Sequence, residues 1–126
     1  MISLKEATVI HEILIDNFGG LHGIRDFGSL ESALNRPLQS FDNQELYPGA
    51  INKAAALLES ILVNHPFIDG NKRTGYTLVR LFLLKNEIDI KATQEEKYDF
   101  IMSVASGTSS FNSIVEWLTN HATKNN

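Results

Sequence analysis

From Ala50 to Asn64 the chain reads AINKAAALLESILVN, an Ala- and Leu-rich run of strong helix propensity, with apolar residues around most of the helix it would form. Such a helix is unsuited to a surface, because burying one stripe leaves the others in water. It has to be central, and the rest of the chain has to surround it. The flanking segments suit that task. Leu4, Ala7, Ile10, His11, Leu14 and Phe18 recur near i, i+3, i+4, i+7 spacing, behind a Ser3 cap and ahead of a Gly19-Gly20 stop. Ser29 is placed to cap a short helix from Leu30 to Asn35, which Pro37 ends by excluding helical backbone from the residue before it. A second apolar helix is expected from about Asn71 to Asn86. Thr93 can cap one from Gln94 to Ser106, and Ser109 or Ser110 a last one ending near Ala122. Leu38 to Pro48 has no clear period and reads as an exposed flap. Strict alternation is missing apart from Ile88-Asp89-Ile90. These features predict an all-α helical bundle forming one domain over residues 1–126, and a hydrophobic content of 43% is ordinary for such a core.

Several function classes drop out at once. The chain has no cysteine, which excludes disulfides and thiolate metal sites. Lys5, Glu6, Glu12 and Asp16 interrupt the N-terminal segment, so neither a signal peptide nor a membrane span is expected there, and no other stretch approaches the length a span needs. The default expectation is a cytoplasmic protein. A net charge of -4 argues against direct nucleic-acid binding by the chain as a whole.

The chemistry is concentrated in His65-Pro66-Phe67-Ile68-Asp69-Gly70-Asn71-Lys72-Arg73-Thr74-Gly75, between the two most apolar helices. A bundle gains no stability from a His, an Asp, a Lys and an Arg at such a turn, since charge near a core is costly unless paired. An anion site accounts for them. Asp69-Gly70 makes a tight turn, and Asn71 is a favoured N-cap ahead of backbone N–H groups that have no helical partner. Those groups and the helix dipole favour phosphate. Lys72 and Arg73 are unfavourable in a first helical turn, a penalty that a bound polyphosphate reverses. Asp69 among phosphates is repulsive unless it holds a divalent cation such as Mg2+. His65, across the loop, is suited to accept a proton from an incoming hydroxyl. Phe67 is the apolar anchor of the loop. The scattered His11, His22 and His121 are poor metal-ligand candidates, Trp117 reads as core, and Arg25-Asp26 as a local ion pair. Arg36 reads as a flap anchor or a target contact.

The segment HPFIDGNKR resembles the signature of the Fic/Doc superfamily, His-Pro-Phe-x-Asp-Gly-Asn followed by a variable residue and Arg. Gly19 to Pro37 (GGLHGIRDFGSLESALNRP), Glu45 to Pro48, Lys53 to Phe67 (KAAALLESILVNHPF) and Glu116-Trp117-Leu118 are similar to its death-on-curing (Doc) branch. The resemblance implies a helical bundle with its active-site loop between two central helices. It implies His65 as general base, Asp69 as Mg2+ ligand, and Gly70, Asn71, Lys72 and Arg73 at the phosphates, with Arg73 neutralising charge in the transition state. It further implies that the flap, with Phe41, Glu45, Leu46 and Tyr47, docks the protein segment to be modified by strand-like pairing.

Two positions depart from the AMP-transferring members, which carry Gly in place of Lys72 and a second Arg in place of Tyr76. By resemblance to Doc-type members, the expected reaction is transfer of the γ-phosphate of ATP to a Thr or Ser of a protein, elongation factor Tu being the expected target, as part of a toxin–antitoxin pair. The superfamily's inhibitory motif has only a near match at Thr8-Val9-Ile10-His11-Glu12-Ile13, broken by Ile13, so a separate antitoxin is expected to cover the active-site groove. AMP transfer to a protein hydroxyl and a non-enzymatic binding subunit of the same fold are the alternatives. Retention of His65, Asp69, Asn71 and Arg73 speaks against the second of these.

Overall fold

The computed structural model describes residues 1–124; Asn125 and Asn126, the end of the expected domain, lie outside the described residues. Among the described residues six α-helices form the body: α1 (Leu4–Phe18), α2 (Phe27–Asn35), α3 (Gly49–Asn64), α4 (Asn71–Lys85), α5 (Gln94–Ala105) and α6 (Phe111–His121). Helix α3 is central and packs against α2, α4, α5 and α6. Ala54, Ala55, Ala56, Leu57 and Leu58 are consecutive and fully buried, as a helix that is apolar all round requires. Ile61 and Leu62 continue the core toward Phe67, Leu78 and Leu83. No described helix is long and apolar enough to cross a membrane.

Helices α3 and α4 are joined by the short loop of interest and pack closely because Gly75 faces α3. A Cβ at that position would overlap Leu62 Cδ1 and come within 3.3 Å of Ile61 Cγ2. On the other side, α1 lies against α4 and is tied to it by Lys85 Nζ, which donates to Glu6 Oε2 at 2.7 Å. That bond, with the Ser3 N–H donated in a capping box, lowers the Glu6 carboxyl from 4.5 to about 2. A carboxyl depressed on folding contributes stability that is fully present above the unfolded value and is lost as pH falls through the folded one. The link between α1 and α4 should therefore weaken between pH 4.5 and about 2. Acid titration of unfolding will check this, a Lys85→Met chain giving a shallower loss of stability over that interval than the parent.

Local chemistry departs from expectation at two helix starts, and an unforeseen strand follows the last helix. Helix α2 begins at Phe27, earlier than expected, because Asp26 rather than Ser29 is its cap, its Oδ1 accepting the Ser29 N–H at 3.0 Å. That hydrogen bond lowers the Asp26 carboxyl below the usual range, and Asp26 is not spent on pairing with Arg25. Helix α4 is capped by Gly70 in the left-handed conformation, with Asn71 as its first residue. The last helix stops at His121, and Ala122–Lys124 turns back as strand β4 to pair antiparallel with β3 (Ile88–Ile90). Phe100, Trp117 and His121 stack over one another beside it, with centroid separations of 3.9 Å for each successive pair. The all-α class holds, since the strands are short and peripheral.

The flap is a β-hairpin, β1 (Ser40–Phe41) paired with β2 (Gln44–Glu45). Its two turn residues, Asp42 and Asn43, both have positive φ (54° and 61°), the backbone that a tight two-residue hairpin needs. Arg36 fastens the base of the flap. Its Nε donates to the Tyr47 hydroxyl at 2.9 Å, and its Nη1 to Glu59 at 2.9 Å and to Ser60 Oγ at 3.1 Å. Burial alone would lower the Arg36 pKa, but these partners outweigh it and raise it. Of the two roles the sequence left open, Arg36 takes the structural one.

Candidate active site

The last residue of the α3 turn, His65, is in the left-handed region (φ 49°, ψ 62°) and still donates its N–H to Ile61 O at 3.1 Å. This conformation costs a residue with a Cβ about 1–2 kcal/mol, and it turns the chain sharply out of α3 while leaving His65 exposed. Phe67 then plunges back. It is 1% exposed and its ring stacks on His11 of α1, with centroids 4.0 Å apart and planes 7° from parallel.

Three further ties close the loop. The His11 Nε2–H donates to Asp69 O at 2.8 Å, which settles that tautomer. Asn71 uses both ends of its side-chain amide on one residue, Oδ1 accepting from Phe67 N at 2.9 Å and Nδ2 donating to Phe67 O at 3.0 Å. This is why Asn71 is not the N-cap: its side chain is committed to the loop, and Gly70 (φ 74°) makes the turn instead. The Asp69 carboxylate accepts the Gly70 N–H on Oδ1 at 2.9 Å and the Leu21 N–H on Oδ2 at 3.1 Å. Only after this does α4 begin, so the N–H groups of Asn71, Lys72 and Arg73 precede its first internal bond, Thr74 N to Gly70 O at 2.9 Å.

His65, Asp69, Gly70, Asn71, Lys72 and Arg73 line one cleft of about 290 Å³, with Ile68 as its apolar member. Five polar residues and the turn glycine singled out in the sequence thus share one small space. Lys72 and Arg73 are exposed, and the Arg73 guanidinium rests over the Phe18 ring, 4.4 Å from its centroid. Phe18 had been expected on the buried stripe of α1; it is 63% exposed and serves this cation instead. Lys72, Arg73 and Phe18 also border a larger neighbouring groove of about 600 Å³, walled by Leu14, Tyr76 and Tyr98. The flap contributes nothing to the lining of the cleft. Phe41 and Leu46 are exposed on it (77% and 50%), whereas Glu45 accepts from Lys53 Nζ at 2.7 Å and Tyr47 is held by Arg36.

Sequence reasoning missed the supports. His11 was set aside as a scattered histidine, although its place on the apolar stripe of α1 was the signal that it would be buried. Gly20 was read only as a helix stop. Its φ is +116°, and a Cβ there would stand 2.8 Å from Asp69 Oδ2 and 3.0 Å from Ile15 Cδ1. Gly20→Ala should therefore push the Asp69 carboxylate out of place. The expected result is loss of the Leu21 N–H hydrogen bond to Asp69 Oδ2, read as a shift of the Leu21 amide resonance.

A carboxylate, a histidine and two cations gather at a helix N-terminus that has no side-chain cap, on a loop between two buried helices, an arrangement suited to phosphate. The Fic/DOC family model matches residues 1–83, which run from α1 through the loop into α4, and the protein belongs to that family. Among curated relatives, it is 30% identical over 117 residues to "Protein kinase doc" of Escherichia phage P1, covering 93% of this chain and 91% of that one. It is 41% identical over 75 residues to "Toxin Doc" of Mycolicibacterium smegmatis, covering 60% of this chain and 58% of that relative.

Proposed function

We propose that this chain is a Doc-like toxin that transfers the γ-phosphate of ATP to a Ser or Thr hydroxyl of a protein target, elongation factor Tu being the target expected, and so blocks translation. The observation that carries the reading is the single cleft in which His65 and Asp69 meet the free N–H groups of α4, Lys72 and Arg73. The name of the phage relative, a protein kinase, supports the same reaction class.

Asp69 suits Mg2+. Each of its oxygens accepts one backbone N–H and keeps lone-pair capacity, and the side chain is exposed. Among the described residues no group of three or more acidic or histidine side chains could form a protein cage. One carboxylate, completed by phosphate oxygens and water, is the usual way this ion is held. When bound, it neutralises charge on the phosphates.

The N–H groups of Asn71, Lys72 and Arg73 hold the transferred phosphoryl, and the two side chains offset its charge. His65 accepts the proton of the target hydroxyl as the hydroxyl oxygen bonds to the γ-phosphorus. The bond from that phosphorus to the bridging oxygen breaks, and ADP leaves. Tyr76 supports γ- over α-transfer. It stands where AMP-transferring members are expected to carry a second Arg, and a phenol offers no cation to a distal phosphate. The flap, exposing Phe41 and Leu46, is the proposed docking edge for the target segment.

An antitoxin segment is proposed for the groove of about 600 Å³ beside the cleft. Phe18, Tyr98 and Met102 are exposed along it (63%, 66% and 39%), with Lys72, Arg73 and Lys97 among its lining residues. An apolar helix carrying an acidic residue matches that lining and would cover Arg73.

The test is labelling of elongation factor Tu, or of a bacterial lysate, with ATP carrying label on either the α- or the γ-phosphate. Label from the γ-phosphate only, lost in a His65→Ala chain, is the expected result. Label from the α-phosphate would replace the reading with AMP transfer, and no label from either would favour the binding-subunit alternative.

A further inference from the structure

We propose that Arg25 is a positioning residue for His65, holding the base in its left-handed conformation; the proposal rests on the transferase reading above. The segment Gly19 to Asp26 lies against the whole catalytic loop. Gly23 O accepts the Ile68 N–H at 3.0 Å, Ile24 forms an antiparallel bridge with Phe67, and the backbone N–H groups of Arg25 and Asp26 both donate to Pro66 O, at 2.8 and 3.0 Å. Leu21 N–H and Gly20 set the Asp69 carboxylate from the same segment. Within this frame the Arg25 side chain makes two contacts, one to His65 itself and one to the residue before it. Its Nε donates to His65 O at 2.6 Å and its Nη2 to Asn64 O at 2.5 Å.

Those carbonyls are the ones α3 leaves without helical partners. A guanidinium is the side chain that can satisfy two neighbouring carbonyls at once with a fixed fork, and its positive charge lies at the negative end of the α3 dipole. Glycine or asparagine usually occupies such a left-handed helix end, because other residues pay for their Cβ there. A histidine in this place needs external support, and Arg25 supplies it while standing outside the cleft lining. Arg25 thus acts on chemistry through His65, without contacting the phosphates.

The distinguishing signature is a split between kcat and KM. In Arg25→Met the phosphate cradle, Asp69 and Arg73 remain, so the KM for ATP should stay within about twofold. A base displaced by even about an ångström lowers kcat on the order of 100-fold. Arg25→Lys, which can bond one carbonyl at a time, should recover part of that loss. The measurements are γ-phosphate transfer to elongation factor Tu, the thermal midpoint of each variant, and the backbone amide shift and HN–Hα coupling of His65 by NMR. A kcat equal to the parent's would overturn the proposal. So would a fall in kcat matched by loss of ATP affinity or by unfolding below the assay temperature, since Arg25 would then be structural only. If the parent itself transfers nothing, the transferase reading fails, and the NMR arm decides alone: an unchanged His65 backbone signature in Arg25→Met overturns the positioning role.

Discussion

Replacing His65 with alanine should lower the turnover of the proposed γ-phosphate transfer by roughly 100- to 10,000-fold, the span that a positioned general base contributes. The loss should fall on kcat. The KM for ATP should change little, because the groups proposed to hold the nucleotide are Asp69, Lys72, Arg73 and the first N–H groups of α4. The fold should survive, since the His65 side chain is exposed and makes none of the loop's internal hydrogen bonds. Its backbone does that work, through Ile61 and Arg25. Steady-state transfer kinetics, with a melting curve on the same preparation, check both halves of the expectation. A large rise in KM would mean that His65 serves binding and that the base lies elsewhere.

Gly75→Val is expected to be the most damaging single change to stability. A Cβ at Gly75 meets Leu62 and Ile61, both fully buried, on the helix that everything else packs around. Neither side chain has solvent to move into, so α3 and α4 must separate. Overpacking of this kind costs about 1–3 kcal/mol and occasionally more; we place Gly75→Val at about 3 kcal/mol, with Gly75→Ala lower because alanine recovers about 1 kcal/mol of helix propensity. For a chain of 126 residues, 3 kcal/mol corresponds to a drop in thermal midpoint of roughly 10–15 °C. The loop from His65 to Gly70 spans the ends of these two helices, so the proposed transfer activity should fall well below that midpoint. Thermal unfolding followed by circular dichroism checks the first statement, and activity against temperature the second.

Both predictions draw on features that were legible in the chain before its folding was considered. The composition of Ala50–Asn64 demanded a central helix, and α3 is one. Ser3 and Thr93 each cap the helix expected of them, both within capping boxes, because a cap is a contact between residues three apart. The cluster from His65 to Arg73 was readable for the same reason: a turn joining two helix ends brings its residues together whatever the rest of the molecule does. Even the left-handed Gly70 follows from the Asp69-Gly70 pair.

What sequence reading lacked were contacts made across large separations in the chain. Nothing near Ile88 announces that Ala122–Lys124 will return to pair with it. Arg25 reads as the partner of its neighbour Asp26, yet its guanidinium is spent on Asn64 and His65. His11 reads as one polar residue on an apolar stripe, yet it is the stacked floor beneath Phe67 and a donor to Asp69. In each case several partners are available to a hydrogen-bonding side chain, and burial selects among them only when the helices have packed. Neighbours along the chain thus set the helices and the clustering of the candidate groups from His65 to Arg73. Tertiary structure alone decided how those groups are held, because α1 and the Gly19 to Asp26 segment reach the loop only through space.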